Sequence, residues 1–354
     1  MLIFAGQTIF SRANGLQLCL VAVLALFLGG CPVYQKPGKG TQFTLTDTQT
    51  NGKYYLYLPA SYDINKSWPL VVTIHGFDPF DTADRQIREW QSTADKYGLI
   101  VIVPVLSTSN QVMLRLNKIS ASVRRDEQVV MNALDHVLSH TAADPDQVLV
   151  TAWSTGGFLM HYLANQHPDR FTALCSRQSC FNAEILDEEN ARLMGQRNFP
   201  VLIFYGQDDG LNIKVESDYA VKWYKSRGFN VEKFVIPQTP RIPGVPLGHN
   251  RQPDLAASFF VRVMGLISQL RIVASTASGA APLPVDLSVQ LPHHLDAADL
   301  KYLWTIDGEP LASTAEAHAD ISEPGVYSIQ LVVTASDGQT FTASQQITVL
   351  PPGS

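Results

Sequence analysis

The sequence predicts an α/β protein with a mostly parallel sheet covered by helices on both faces, followed by a small all-β sandwich. Continuous apolar runs of strand length alternate with helical stripes as far as residue 271, a β-α-β-α order that belongs to a buried parallel sheet. From residue 272 the pattern changes to short alternating runs punctuated by Gly and Pro. The 354 residues, at about 150 per domain, are enough for two cores.

Composition narrows the function classes. Apolar residues make up 45% and aromatics 9%, which is ordinary for a folded chain and excludes a disordered or collagen-like one. With 26 Lys plus Arg against 32 Asp plus Glu the formal charge is -6, so nothing draws nucleic acid in general and none is expected as a partner. Charged residues are only 16%, and Thr, Ser, Gln, Gly and Pro fill the gap, a mix that leans towards an exported protein.

The N-terminal segment agrees. Arg12 is the only charge before Lys36, and Leu18 to Leu28 forms an apolar core of signal-peptide length, short for a membrane span. Leu28-Gly29-Gly30-Cys31 resembles the bacterial lipobox, in which small residues precede a cysteine that is lipidated and becomes the new N-terminus. Residues 1–30 are therefore expected to be a lipoprotein signal, Cys31 the lipid attachment point and membrane anchor, and residues 31–41 a tether. A plain cleaved signal peptide or an uncleaved anchor is the alternative, and each of the three exports the body. Once Cys19 is removed and Cys31 modified, Cys175 and Cys180 remain; in an oxidising compartment they form a disulfide or stay as two buried thiols, and both options stand open.

Within residues 42–271, Gln42 to Leu58 reads as two strands around an Asn51-Gly52 turn. Strands buried on both faces follow at Leu70 to Ile74, Leu99 to Val103, Val148 to Ala152 and Val201 to Phe204. Val129, Val130, Ala133, Leu134, Val137 and Leu138 form a helical stripe, which Ala143-Asp144-Pro145 ends. Residues 272–354 read as a β-sandwich with turns at Asp307-Gly308 and Asp337-Gly338, and Tyr327, Ile329, Leu331 and Val333 on one face of a strand. Tyr302-Leu303-Trp304 and Pro324-Gly325-Val326-Tyr327 resemble a PKD or related Ig-like module with Trp304 in its core, although the usual Gly-Asp-Gly after the Trp is missing.

Chemistry concentrates in Val148 to Gly157. Ser154 falls where a buried strand passes into the helical stripe Phe158, Leu159, Tyr162 and Leu163, flanked by small residues at Ala152 and Gly156. This is the context of a nucleophile elbow, where a tight bend exposes a serine hydroxyl above the sheet edge. Such a serine needs a His base, and the His needs an acid to fix its tautomer. Val201 to Gly206 is a strand ending in a Gly turn with Asp208 and Asp209, and Ile74-His75-Gly76-Phe77 ends another strand. No H-E-x-x-H or C-x-x-C spacing is present, so no metal and no cofactor is expected.

On these motifs, together with Tyr57-Leu58-Pro59 before Trp68-Pro69-Leu70 and Asp144-Pro145-Asp146-Gln147-Val148 before the elbow strand, Thr41 to Arg271 resembles the α/β-hydrolase superfamily. Within it the chain is similar to secreted esterases such as poly(3-hydroxybutyrate) depolymerases and feruloyl or acetylxylan esterases. The resemblance implies the chain order Ser, acid, His. Of nine histidines only His249 lies between the aspartates and the sandwich, at the end of a loop stiffened by Pro237, Pro240, Pro243 and Pro246. Asp209 is the acid by the family pattern G-x-x-D counted from Gly206, with Asp208 as the alternative. The backbone N–H groups of Phe77 and Thr155 are the oxyanion donors, and His75 is structural.

The implied activity is hydrolysis of carboxylic esters through an acyl-enzyme. About 25 residues between Cys175 and Pro200 leave no room for a large cap, and the expected substrate is a bulky or polymer-attached ester, with the loop Ser107 to Val123 as a partial wall. Trp153 is expected to be buried against the sheet, and His136, His140, His161, His167 and the exposed-looking His293 and His294 are read as structural. The Ig-like domain is read as a spacer or as a contact to polysaccharide or envelope. A serine peptidase or an acyltransferase on the same fold, or a non-catalytic surface binding protein, are the rival readings.

Overall fold

The computed structural model describes residues 40–110, 120–187, 199–237, 248–266, 270–295, 297, 300–336 and 338–352. The expected signal segment, Cys31, the expected tether to residue 39, residues 111–119 of the expected wall, Pro240, Pro243, Pro246 and Asp337 lie outside the described residues.

Asn51, at φ 56°, and Gly52 turn β1 (Thr41–Thr46) into β2 (Lys53–Leu58), and the two pair antiparallel. Then follow β3 (Trp68–Ile74), β4 (Ile100–Pro104), β5 (Ala143–Ser154), β6 (Ala173–Ser179), β7 (Val201–Gly206) and β8 (Val231–Ile236). These six are mutually parallel, β2 joins them antiparallel through β4, and the sheet order is β1-β2-β4-β3-β5-β6-β7-β8. The parallel strands are apolar along most of their length because helices cover both sides.

Helices α1 (Ala83–Tyr97) and α6 (Pro253–Val263) pack together on one face. There Ile87, Trp90, Phe259 and Phe260 share a core with Val71, Val101, Leu149 and Phe204. The alternate strand residues Val72, Ile102, Val150 and Ile203 are buried on the opposite face, where α2 (Ala121–His140), α3 (Gly156–Gln166) and α5 (Leu211–Ser226) meet the sheet. Thr82 caps α1 by accepting from the Arg85 N–H, and Ser120 caps α2 from the Val123 N–H. A single turn, α4 (Glu184–Asp187), follows β6.

Strands β6 and β8 have no counterpart in the sequence expectation. The run Ala-Leu-Cys-Ser-Arg-Gln-Ser of β6 carries four polar residues yet is buried throughout: Ser176 and Ser179 bond each other, Arg177 donates to the Thr151 hydroxyl, and Gln178 Oε1 accepts the Asn250 N–H. Strand β8 is the sheet edge and half exposed, so it lacks a continuous apolar run.

The C-terminal strands form two sheets. A five-stranded sheet runs in the order β10 (Ser278–Ala280), β16 (Thr340–Leu350), β15 (Gly325–Thr334), β12 (Lys301–Ile306), β13 (Glu309–Ala312). A three-stranded sheet orders β14 (Glu316–Ile321), β11 (Leu283–Gln290) and β9 (Arg271–Ala274). Trp304 lies in their shared core with Ile329, Leu331 and Val333, and its indole N–H donates to the Thr314 carbonyl at 2.8 Å. His294 departs from its exposed-looking reading. It is buried beside Gly98, the left-handed residue that ends α1, whose lack of a side chain permits the approach: a β-carbon there would sit 2.3 Å from the His294 Cβ.

Candidate active site

Strand β5 ends at Ser154 with φ 55°, a left-handed conformation that a non-glycine residue adopts only when its surroundings impose it. Helix α3 starts two residues later, so Ser154 stands on the turn between strand and helix. The imposing contacts are backbone ones. A β-carbon on Gly156 would lie 2.5 Å from the His75 carbonyl oxygen, and one on Gly157 would lie 2.3 Å from the Cys180 carbonyl oxygen. Gly157 was not singled out from the sequence, and only this close approach shows that it is required. Thr155 is pinned as well: its hydroxyl donates to the Ser109 carbonyl at 2.9 Å, in a loop held by the Asp126 carboxylate through the N–H groups of Ser107 and Thr108.

Asp209 and His249 meet directly. The His249 Nδ1 lies 3.0 Å from Asp209 Oδ2, with both side chains buried, while Asp209 Oδ1 accepts the Gly210 N–H at 2.6 Å. An ionised carboxylate only accepts, so Nδ1 carries the hydrogen and Nε2 is left as a base. Asp208 is exposed, and it is the Asp209 carboxylate that meets the His249 Nδ1. Gly248, at φ 80°, sets this up, because a β-carbon there would lie 2.6 Å from the Asp209 backbone nitrogen. Leu247-Gly248-His249 carried this signal in the sequence, and the glycine was passed over.

Ser154, Asp209, His249, Phe77 and Thr155 line one cleft of about 400 Å³. Phe80, Phe158 and Ile213 make its walls largely apolar. Trp153 is buried as expected, but it also lies beneath the imidazole of His249, with ring centroids 4.5 Å apart. Gly76 brings the β3 loop against the serine, since a β-carbon there would lie 2.7 Å from the Trp153 ring and 3.1 Å from the Ser154 Cβ. His75 Nε2 faces the Leu106 N–H at 3.1 Å and must accept from it, so Nδ1 donates to the Gly76 carbonyl at 2.8 Å. That carbonyl belongs to the same peptide unit as the Phe77 N–H, whose direction His75 thereby sets. Burial holds the His75 pKa below its usual value, which keeps the ring neutral for both roles.

Cys175 and Cys180 are free thiols, so the disulfide option is not taken up. Cys175 faces the core beside Leu149 and Phe204, whereas Cys180 follows the end of β6 and lines the cleft.

Sequence comparison gives relatives consistent with this arrangement. The profile of the prolyl oligopeptidase family, Peptidase S9, matches residues 125–200. The chain is 26% identical over 184 residues to a poly(3-hydroxybutyrate) depolymerase of Ralstonia pickettii, covering 48% of this chain and 38% of that protein. It is 26% identical over 156 residues to feruloyl esterase B of Talaromyces funiculosus, covering 44% and 43%. A bifunctional acetylxylan esterase/xylanase of Neocallimastix patriciarum is 24% identical over 161 residues, 45% of this chain and 22% of that protein. The chain thus spans less than half the length of each of these relatives. The sheet is that of an α/β-hydrolase. The family match and the esterase relatives point to a serine hydrolase.

Proposed function

We propose that the protein hydrolyses carboxylic esters through a Ser154, His249, Asp209 triad. The single observation that carries this reading is the Asp209 to His249 hydrogen bond of 3.0 Å in the cleft that the left-handed Ser154 also lines. Ser154 Oγ attacks the ester carbonyl carbon while His249 Nε2 takes the hydroxyl proton. The negative charge then rests on the former carbonyl oxygen, for which the N–H groups of Phe77 and Thr155 are the donors; one such donor is worth about 3 kcal/mol of barrier. The tetrahedral intermediate collapses, the C–O bond to the alcohol breaks, and the leaving oxygen receives the proton from His249. Water attacks the acyl-serine by the same steps in reverse, returning the proton to Ser154 and releasing the acid.

The apolar walls from Phe77, Phe80 and Phe158 support a bulky or polymer-attached ester, and the depolymerase and feruloyl esterase among the relatives favour the same class. The match to the prolyl oligopeptidase family over the elbow favours a second reading, an amide-cleaving enzyme with the same triad. Export as a lipoprotein through Cys31, and a spacer or polysaccharide-contact role for residues 272–354, complete the proposal. Mass measurement of the membrane-extracted mature N-terminus tests the lipid.

Fluorophosphonate labelling tests the nucleophile. Label is expected on Ser154 and none on Ser154→Ala, with loss of p-nitrophenyl ester turnover of about four to six orders of magnitude. Label retained in Ser154→Ala would reject the triad, and matched amide and ester substrates decide between the two readings.

A further inference from the structure

The loop carrying Phe77 and the loop carrying His249 come from opposite ends of the catalytic sheet's sequence. One buried carboxylate ties them together. Asp81 is fully buried. Its Oδ2 accepts the Gly76 N–H at 2.6 Å and the Gln86 Nε2 hydrogen at 2.7 Å, while its Oδ1 accepts from Arg251 Nε at 2.9 Å. Arg251 stands two residues after His249. Its remaining nitrogens reach Glu89 Oε1 at 2.6 Å and the Phe80 carbonyl, and its guanidinium lies 4.8 Å from the centre of the Trp153 ring. The imidazole of His249 lies 4.5 Å from the same ring. From below, the fully buried Arg177 donates to the Arg251 carbonyl at 2.8 Å, and its other nitrogens hold Thr73, Gln86 and Thr151.

From this arrangement we infer that Asp81 is a positioning residue that sets the oxyanion loop and the histidine loop with one carboxylate, one oxygen to each. The inference rests on the triad reading above. Burial alone requires both oxygens of a carboxylate to be bonded; what points to catalysis is that the two partners lie on the two loops that carry the Phe77 N–H and His249. The division matters to catalysis because the Phe77 N–H and the His249 Nε2 must be in place together when the oxyanion forms, and an error of about 1 Å in either costs about 100-fold in rate. The transition state, more than the bound ester, feels such an error. Loss of the link therefore lowers kcat with little change in KM.

Asp81→Asn presents an amide that accepts at one atom only, so either Gly76 or Arg251 loses its partner. In the full chain, kcat per fluorophosphonate-titrated site is expected to fall about 100-fold, with KM within about threefold. Arg251→Lys keeps the charge but not the fork and is expected to lower kcat tenfold or more. Because both variants break one link, the double variant should be no slower than Asp81→Asn within about threefold. Wild-type kcat per titrated site in Asp81→Asn, or losses that multiply in the double variant, would overturn the inference. If Asp81→Asn does not fold, Arg251→Lys decides by itself, and unchanged kcat there overturns it. A wild type that neither takes the label at Ser154 nor turns over ester refutes the triad reading instead, so the two failures are distinct.

Discussion

Two adjacent aspartates follow β7, and their environments assign them different roles. Asp209 is buried with one oxygen on His249 and the other on the Gly210 N–H, whereas Asp208 is exposed. Asp209→Asn should keep the geometry while permitting the wrong imidazole tautomer, and kcat should fall by about four orders of magnitude in ester hydrolysis. Asp208→Asn should stay within about threefold of wild type, since an exposed substitution removes no bond from the imidazole. His75 illustrates what one residue name hides. Its tautomer follows from two neighbours that lie far apart in the sequence, Gly76 on one side and Leu106 on the other.

At the level of elements, the turn from β5 into α3 is decided by how closely backbones approach. The two glycines after Thr155 allow the helix start to touch the His75 and Cys180 carbonyls. Backbone cannot yield as a flexible side chain would. Gly156→Ala should therefore destabilise the fold by about 1–3 kcal/mol and lower kcat, which chemical denaturation and ester kinetics would measure together. The strands that carry the elbow and the acid, β5 and β7, were legible because apolar runs buried on both faces leave a continuous mark. Strand β6 was not legible. Arg177 in this strand reads as a surface residue in isolation, and only its bonds to Thr73, Gln86, Thr151 and the Arg251 carbonyl make its burial tolerable.

For the whole molecule, buried histidines contribute to the response to acid. His161 and His294 both have pKa values lowered by burial to about 3, and that of His75 is lowered in the same direction. The folded state holds His161 and His294 neutral while the unfolded chain protonates them near pH 6.5, so stability is full above that value and is lost as pH falls towards 3. Each ring contributes a slope of up to about 1.4 kcal/mol per pH unit in that window. The ring nitrogens of His294 find no hydrogen-bond partner among the described residues. His294→Phe should therefore raise stability at neutral pH by about 1 kcal/mol and flatten the slope between pH 6.5 and 3, as read by denaturant titration at each pH. Because the eight-stranded sheet and its cleft are built without residues 272–354, their removal should leave turnover of a small soluble ester within about threefold. Loss of that turnover would mean that the sandwich supports the site.

By itself the sequence determined the succession of buried strands and helices, the position of Ser154 at a strand-to-helix turn, and the short set of residues able to serve as base and acid. These are local properties, written in apolar periodicity and in the small residues around a bend. Tertiary structure decided which aspartate meets His249, that Cys175 and Cys180 stay apart, and that Asp81 and Arg251 join two distant loops. Such choices depend on what lies across the sheet from a residue, and burial strengthens the bonds that record them, so no pattern along the chain could carry them.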